Sequence, residues 1–176
     1  MKDVSEVFLD EKTIQTKVRE IGGQITRDYQ GRSPLLICIL KGAFVFCSDL
    51  IRDIQVPLSV DFISVASYGP STRSSGEVQL IKDIETSIDG RDVLLVEDIV
   101  DTGLTLTYLI HQFAARNPAS LRIATLLSKP DRRKVGITVD YVGFEIPDKF
   151  VVGYGLDFDQ KYRNLPYISV YQGALA

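Results

Sequence analysis

Apolar residues recur along the chain with two different periods. Ile14, Val18, Ile21 and Ile25 are spaced by four, three and four residues, the stripe of an amphipathic helix. After Pro34 comes the apolar run LLICIL at Leu35–Leu40, which predicts a strand covered on both faces, as in a parallel sheet. Beyond Gly42 the pattern turns helical over 43–54, then strand-like over 60–66 and 78–81. VLLV at 93–96 is the clearest buried strand, and 104–116 reads as a helix stopped by Asn117-Pro118. Further strands are expected over 122–127, 139–144 and 150–154. The stretch YGPSTRSSGE at 68–77 reads as a mobile surface loop, and Asp89-Gly90 as a turn.

Strands alternating with helices predict an α/β fold around a mainly parallel sheet. The 176 residues suit one domain, with no repeat, linker or low-complexity segment, and the segment from Asp148 onward is expected to pack over the strand ends. The net charge is −3, so no general attraction to nucleic acid or anionic membrane is expected. Any polyanionic substrate must be held by local features. The two cysteines, Cys38 and Cys47, fall in apolar segments and read as reduced core thiols of a cytoplasmic protein. His111 is the only histidine, which leaves zinc sites and Ser-His-Asp chemistry little to work with. No apolar run approaches a bilayer span, and residues 1–9 carry no signal-peptide core.

The most informative stretch is VLLVEDIVDTGLTLT at 93–107. An apolar strand ends in two adjacent carboxylates, Glu97 and Asp98, and the turn Asp101-Thr102-Gly103-Leu104-Thr105 then leads into a helix. Ligands of open α/β sheets bind beyond the carboxyl ends of strands. Gly103 lets backbone approach closely, and successive amides with the hydroxyls of Thr102 and Thr105 suit a phosphate. The turn matches neither a Walker loop nor a dinucleotide fingerprint. Carboxylates beside a phosphate site make sense if they face a sugar, whose hydroxyls they accept. The plain alternative is that Glu97 and Asp98 close the strand and Asp101 caps the helix.

VLLVEDIVDTGLTL closely resembles the phosphoribosyl pyrophosphate (PRPP) signature of type I phosphoribosyltransferases. Leu40-Lys41-Gly42, Ser67-Tyr68, Ser128-Lys129-Pro130, Phe150 to Tyr154, Leu156-Asp157 and Tyr162-Arg163 extend the resemblance over nearly the whole chain, toward the bacterial hypoxanthine-guanine branch. The resemblance implies a type I phosphoribosyltransferase fold, a parallel sheet flanked by helices with a small hood built from the two chain ends. It implies that Glu97 and Asp98 bind the ribose hydroxyls, partly through magnesium, and that residues 101–105 hold the 5′-phosphate. Lys41 and Gly42 would belong to a pyrophosphate loop with a non-proline cis peptide after Leu40. Asp157 would ligate magnesium, Arg163 would contact pyrophosphate, and the partners would be PRPP, a 6-oxopurine and further copies of the chain in a homodimer or homotetramer.

Within that frame Asp101 is the candidate general base, with shaping of the phosphate turn as its rival role. Lys129 donates hydrogen bonds only and suits a 6-oxo group, the alternative being a surface lysine in a turn. Phe150 is expected to stack on the purine and Val151 to offer its carbonyl to the base edge; a core strand is the plainer account of both. Ser67 and Tyr68 open the loop 68–77, expected to be a lid unless it is an ordinary surface loop. Arg132-Arg133-Lys134 reads as a solvated basic patch. Two other functions stay open: an enzyme for another base such as xanthine, and a nucleotide-sensing regulator, which the negative charge and lack of spare length disfavour.

Overall fold

The computed structural model describes residues 4–67 and 78–173. Its main sheet has six strands in the order β4-β3-β2-β5-β6-β7. These are β2 (Leu35–Leu40), β3 (Ser59–Ser67), β4 (Val78–Lys82), β5 (Asp92–Val100), β6 (Ser120–Ser128) and β7 (Tyr141–Glu145). All neighbours are parallel except β3 and β4, which pair antiparallel at one edge.

Alternation along the central strands explains why both faces are covered. Leu36 and Cys38 of β2, with Leu94 and Val96 of β5, join one apolar cluster with α1 (Glu11–Asp28) and α2 (Phe44–Asp53). Leu35, Ile37 and Ile39, with Val93 and Leu95, join a second cluster with α3 (Leu104–Ala114). Each face excludes water, so these strands read as continuous apolar runs. The expected α1 stripe is the buried one: Ile14, Val18, Ile21 and Ile25 are all at most 1 % exposed. Asp10 caps that helix, accepting the Thr13 N–H at 2.7 Å.

Two elements went unread in the sequence. β1 (Val4–Leu9) and β9 (Ile168–Tyr171) pair antiparallel, and β8 (Val151–Val152) completes a separate three-stranded sheet. β1 lacks clean alternation because Glu6 and Val7 are both exposed while Phe8 and Leu9 are both half-buried, and its pairing with β9 is irregular in register. The strand expected over 150–154 shrinks to two residues. Gly153 to Leu156 form a tight reversal in which Gly153, Tyr154 and Gly155 all take positive φ. The loop 68–77, including Tyr68, lies outside the described residues; Ser67 is the last residue of β3.

Candidate active site

A cavity of about 410 Å³ opens at the carboxyl ends of β2 and β5. Lys41, Gly42, Glu97, Asp98, Asp101, Thr102, Gly103, Thr105, Asp157 and Arg163 line it. Of the remaining sequence candidates, Leu104 sits between two lining residues as the first residue of α3, whereas Lys129, Phe150 and Val151 lie off this cavity.

The acidic wall is not quite where the sequence put it. β5 does not end at the carboxylates but runs on to Val100, because β6 keeps pairing with it through Ile99↔Leu127 and Val100↔Ser128. Glu97 and Asp98 are therefore held by a paired strand rather than a loose end. Burial raises the pKa of Glu97 well above the ordinary carboxylate range, and the charge of Asp98 adds to the shift. Burial also raises that of Asp98. Glu97 is buried and Asp98 beside it half-buried, and adjacent desolvated carboxyls favour protonation, so a bound cation or sugar hydroxyls would relieve a cost already built into the strand.

Opposite them, the Leu40-Lys41 peptide is cis, as the resemblance implied. The chain then passes so close to Asp98 that a Cβ on Gly42 would collide with its carboxylate. Lys41 Nζ lies 3.2 Å from Gln160 Oε1, which ties the loop after β2 to the segment 155–163. In that segment Arg163 Nη2 pairs with Asp157 Oδ1 at 2.8 Å, and Nη1 donates to the Gly155 carbonyl at 2.7 Å. Asp159 and Gln160 both take positive φ between the bridged Phe158 and Lys161, the geometry of a two-residue type I′ hairpin.

The turn after β5 has the form expected of an anion site. Gly103 sits at φ 86° as the N-cap of α3, which has no acid in its first turn. The Leu104 N–H makes one long bond to Thr102 Oγ1 at 3.4 Å, and the helix dipole favours a negative ligand at this end. The turn is backed by residues 129–137. Lys129 N–H donates to the Val100 carbonyl at 2.9 Å, and Lys134 N–H to that of Thr102 at 3.0 Å. The side chains of Arg133, Val135 and Ile137 pack behind Gly103.

The basic run is only partly the solvated patch expected: Arg132 and Lys134 are exposed, but Arg133 is half-buried and two of its members have side-chain partners. Arg132 Nε pairs with Asp101 Oδ1 at 3.1 Å. Arg133 donates to Ser128 Oγ at 2.9 Å, and its buried Nη1 has no hydrogen-bond partner among the described residues. Composition alone could not reveal the Arg132–Asp101 pair, because its partners lie 31 residues apart in sequence and a charge run looks the same on any surface.

Lys129 is buried, and its Nζ lies 3.3 Å from Asp148 Oδ1. Val151 is buried in β8. Phe150 is 36 % exposed, with its ring edge-on to Phe158 and Tyr171, both at 5.9 Å. Of these three, Lys129 is joined to the cavity-lining Asp101 through Asp148 and Arg132.

Glu97, Asp98 and Asp157 give the cavity hard oxygen donors, yet among the described residues no three His, Cys, Asp or Glu side chains form a metal cage. That donor set fits magnesium, which takes one or two carboxylates and fills its shell with phosphate oxygens and water.

The model of the phosphoribosyl transferase domain matches residues 5–159. The chain belongs to that family. It is 54 % identical over 173 residues to the hypoxanthine-guanine phosphoribosyltransferase of Bacillus subtilis, covering 98 % of this chain and 96 % of that one. The enzyme of the same name from Streptococcus thermophilus is 50 % identical, with 96 % and 94 % covered. A crystal structure of a hypoxanthine phosphoribosyltransferase from Staphylococcus aureus superposes with TM-score 0.92 at 51 % identity, over 97 % of this chain and 92 % of that one. The six-stranded sheet and its flanking helices are thus the type I phosphoribosyltransferase fold, as the signature at 93–106 implied.

Proposed function

We propose that this chain is a purine-salvage enzyme that transfers the 5-phosphoribosyl group of PRPP to N9 of hypoxanthine or guanine. The products are IMP or GMP and pyrophosphate. One observation carries the reading: Glu97, Asp98, Asp101, Thr102, Gly103 and Thr105 line the same cavity as Lys41 and Arg163.

In this reading the amides and hydroxyls of Thr102 to Thr105, with Leu104 in the first helical turn, hold the 5′-phosphate. Glu97 and Asp98 accept hydrogen bonds from the ribose hydroxyls. With Asp157 they hold magnesium, which when bound spreads the charge of the pyrophosphate. Lys41 and Arg163 stabilise the same departing group, beside the Gly42 backbone. The bond from the anomeric carbon to pyrophosphate oxygen breaks, its electron pair leaves with pyrophosphate, and the N9 lone pair forms the new bond. Asp101 takes the N7 proton as N9 attacks.

Lys129 donates to the 6-oxo group. Adenine would present an amino donor there, and donor facing donor leaves a buried group unpaired. Phe150 stacks on the purine, and the Val151 carbonyl accepts from the 2-amino group of guanine while opposing the 2-oxo group of xanthine.

Cys38 and Cys47 are both buried and free, which supports a cytoplasmic location. The exposed apolar side chains of Phe44, Phe62 and Ile81 support self-association into a dimer or tetramer.

The test is a panel of hypoxanthine, guanine, xanthine and adenine with PRPP, with and without magnesium, following nucleotide and pyrophosphate. Magnesium-dependent IMP and GMP formation, xanthine poorest of the three oxopurines and adenine inert, is the expected result. Preferred use of xanthine, or no turnover with any base, would overturn the assignment.

A further inference from the structure

The basic run at 132–134 is the motif that the proposed chemistry leaves unused, and its first residue touches the proposed base. Arg132 Nε pairs with Asp101 Oδ1 at 3.1 Å, and Nη1 lies 3.5 Å from Asp148 Oδ2. The other oxygen of Asp148 lies 3.3 Å from Lys129 Nζ. Four side chains thus form an alternating chain of charge: Asp101, Arg132, Asp148, Lys129. One end is the proposed proton acceptor and the other the proposed reader of the 6-oxo group.

Stability does not explain the arrangement. The side chains of Arg132, Asp101 and Asp148 are 42 %, 40 % and 52 % exposed, and ion pairs this open contribute little to stability. Geometry explains it better. The backbone of Arg132 is fixed on both sides: its N–H donates to the Lys129 carbonyl at 3.1 Å, and the Lys134 N–H to the phosphate turn at Thr102. A guanidinium so anchored is a planar fork that occupies one carboxylate oxygen in a set direction. The second oxygen of Asp101 is then turned to a fixed bearing.

We propose that Arg132 is a positioning residue for the transfer reaction: it holds one oxygen of Asp101, presents the other to the purine N7–H, and registers that carboxylate against Lys129 through Asp148. One clamp thereby sets the distance between the two groups that grip opposite parts of the purine ring system. The inference rests on the proposed roles of Asp101 and Lys129.

Arg132→Gln tests it, with Arg132→Met as a second variant that keeps the packing of the stem. Steady-state rates are measured with hypoxanthine and PRPP, alone and in an Asp101→Asn background. A positioning role predicts kcat down about tenfold, within the range by which misplacing a catalytic group slows a reaction. Both KM values should stay within about twofold. In the Asp101→Asn background the same change should cost nothing further, because residues acting through one group are not additive. Unchanged kcat in both variants, an equal loss with and without Asp101, or a loss confined to KM would each overturn the proposal. A wild-type chain inactive with every base would instead overturn the proposed function.

Discussion

Gly42→Ala puts the assembled acidic wall to the test without touching a charged group. A Cβ at position 42 would fall 2.6 Å from the Asp98 carboxyl carbon and 3.2 Å from Oδ1, and closer still to Oδ2. Ordinary contact begins near 3.4 Å, so the carboxylate must move by about 0.8 Å or more. Oδ1 accepts the Ile99 N–H at 2.8 Å, and losing that bond in a half-buried site costs about 1 kcal/mol. In a chain of this length that lowers Tm by about 2–4 °C. The catalytic penalty should be larger. A misplacement near 1 Å costs on the order of 10²-fold in rate, equivalent to about 2.7 kcal/mol. The assay is kcat/KM for PRPP with hypoxanthine, beside a thermal melt of the same preparation. A folded Gly42→Ala protein within about threefold of wild-type kcat/KM would refute the claim that Asp98 must keep its place against this loop.

Lys129→Ala should abolish most turnover with hypoxanthine and guanine, by about 10²-fold or more in kcat/KM, since a site built around one donor loses its partner; unchanged kcat/KM for hypoxanthine would remove Lys129 from base selection. Glu97→Gln should raise Tm in metal-free buffer, and the gain over wild type should grow with pH. The folded chain holds Glu97 protonated to higher pH than the unfolded chain does, so between the two pKa values it binds more protons, and wild-type stability falls as pH rises through that window. A gain of about 2–4 °C at pH 8 that shrinks toward pH 4 is expected, and a pH-independent difference would rule out burial of charge as its cause.

Much of the molecule was legible in the chain itself. The periods of Ile14 to Ile25 and of Leu35–Leu40 specify which faces must leave water, and they suffice for the first helix, the central strands and the α/β class. The sequence 93–107 likewise brings much of the candidate site together, because the strand, its carboxylates and the turn 101–105 are contiguous. Local pattern failed where pairing partners are remote. β5 reaches Val100 only because β6 lies beside it, and β1 exists because β9, more than 150 residues later, offers it hydrogen bonds. The same is true of chemistry. Asp157 and Arg163 join Glu97 and Asp98 across one cavity, and Arg132 meets Asp101, only after the chain has folded back on itself. Residue type decides what a side chain is able to do; tertiary structure alone decides which other side chain lies within the few ångströms over which it can act.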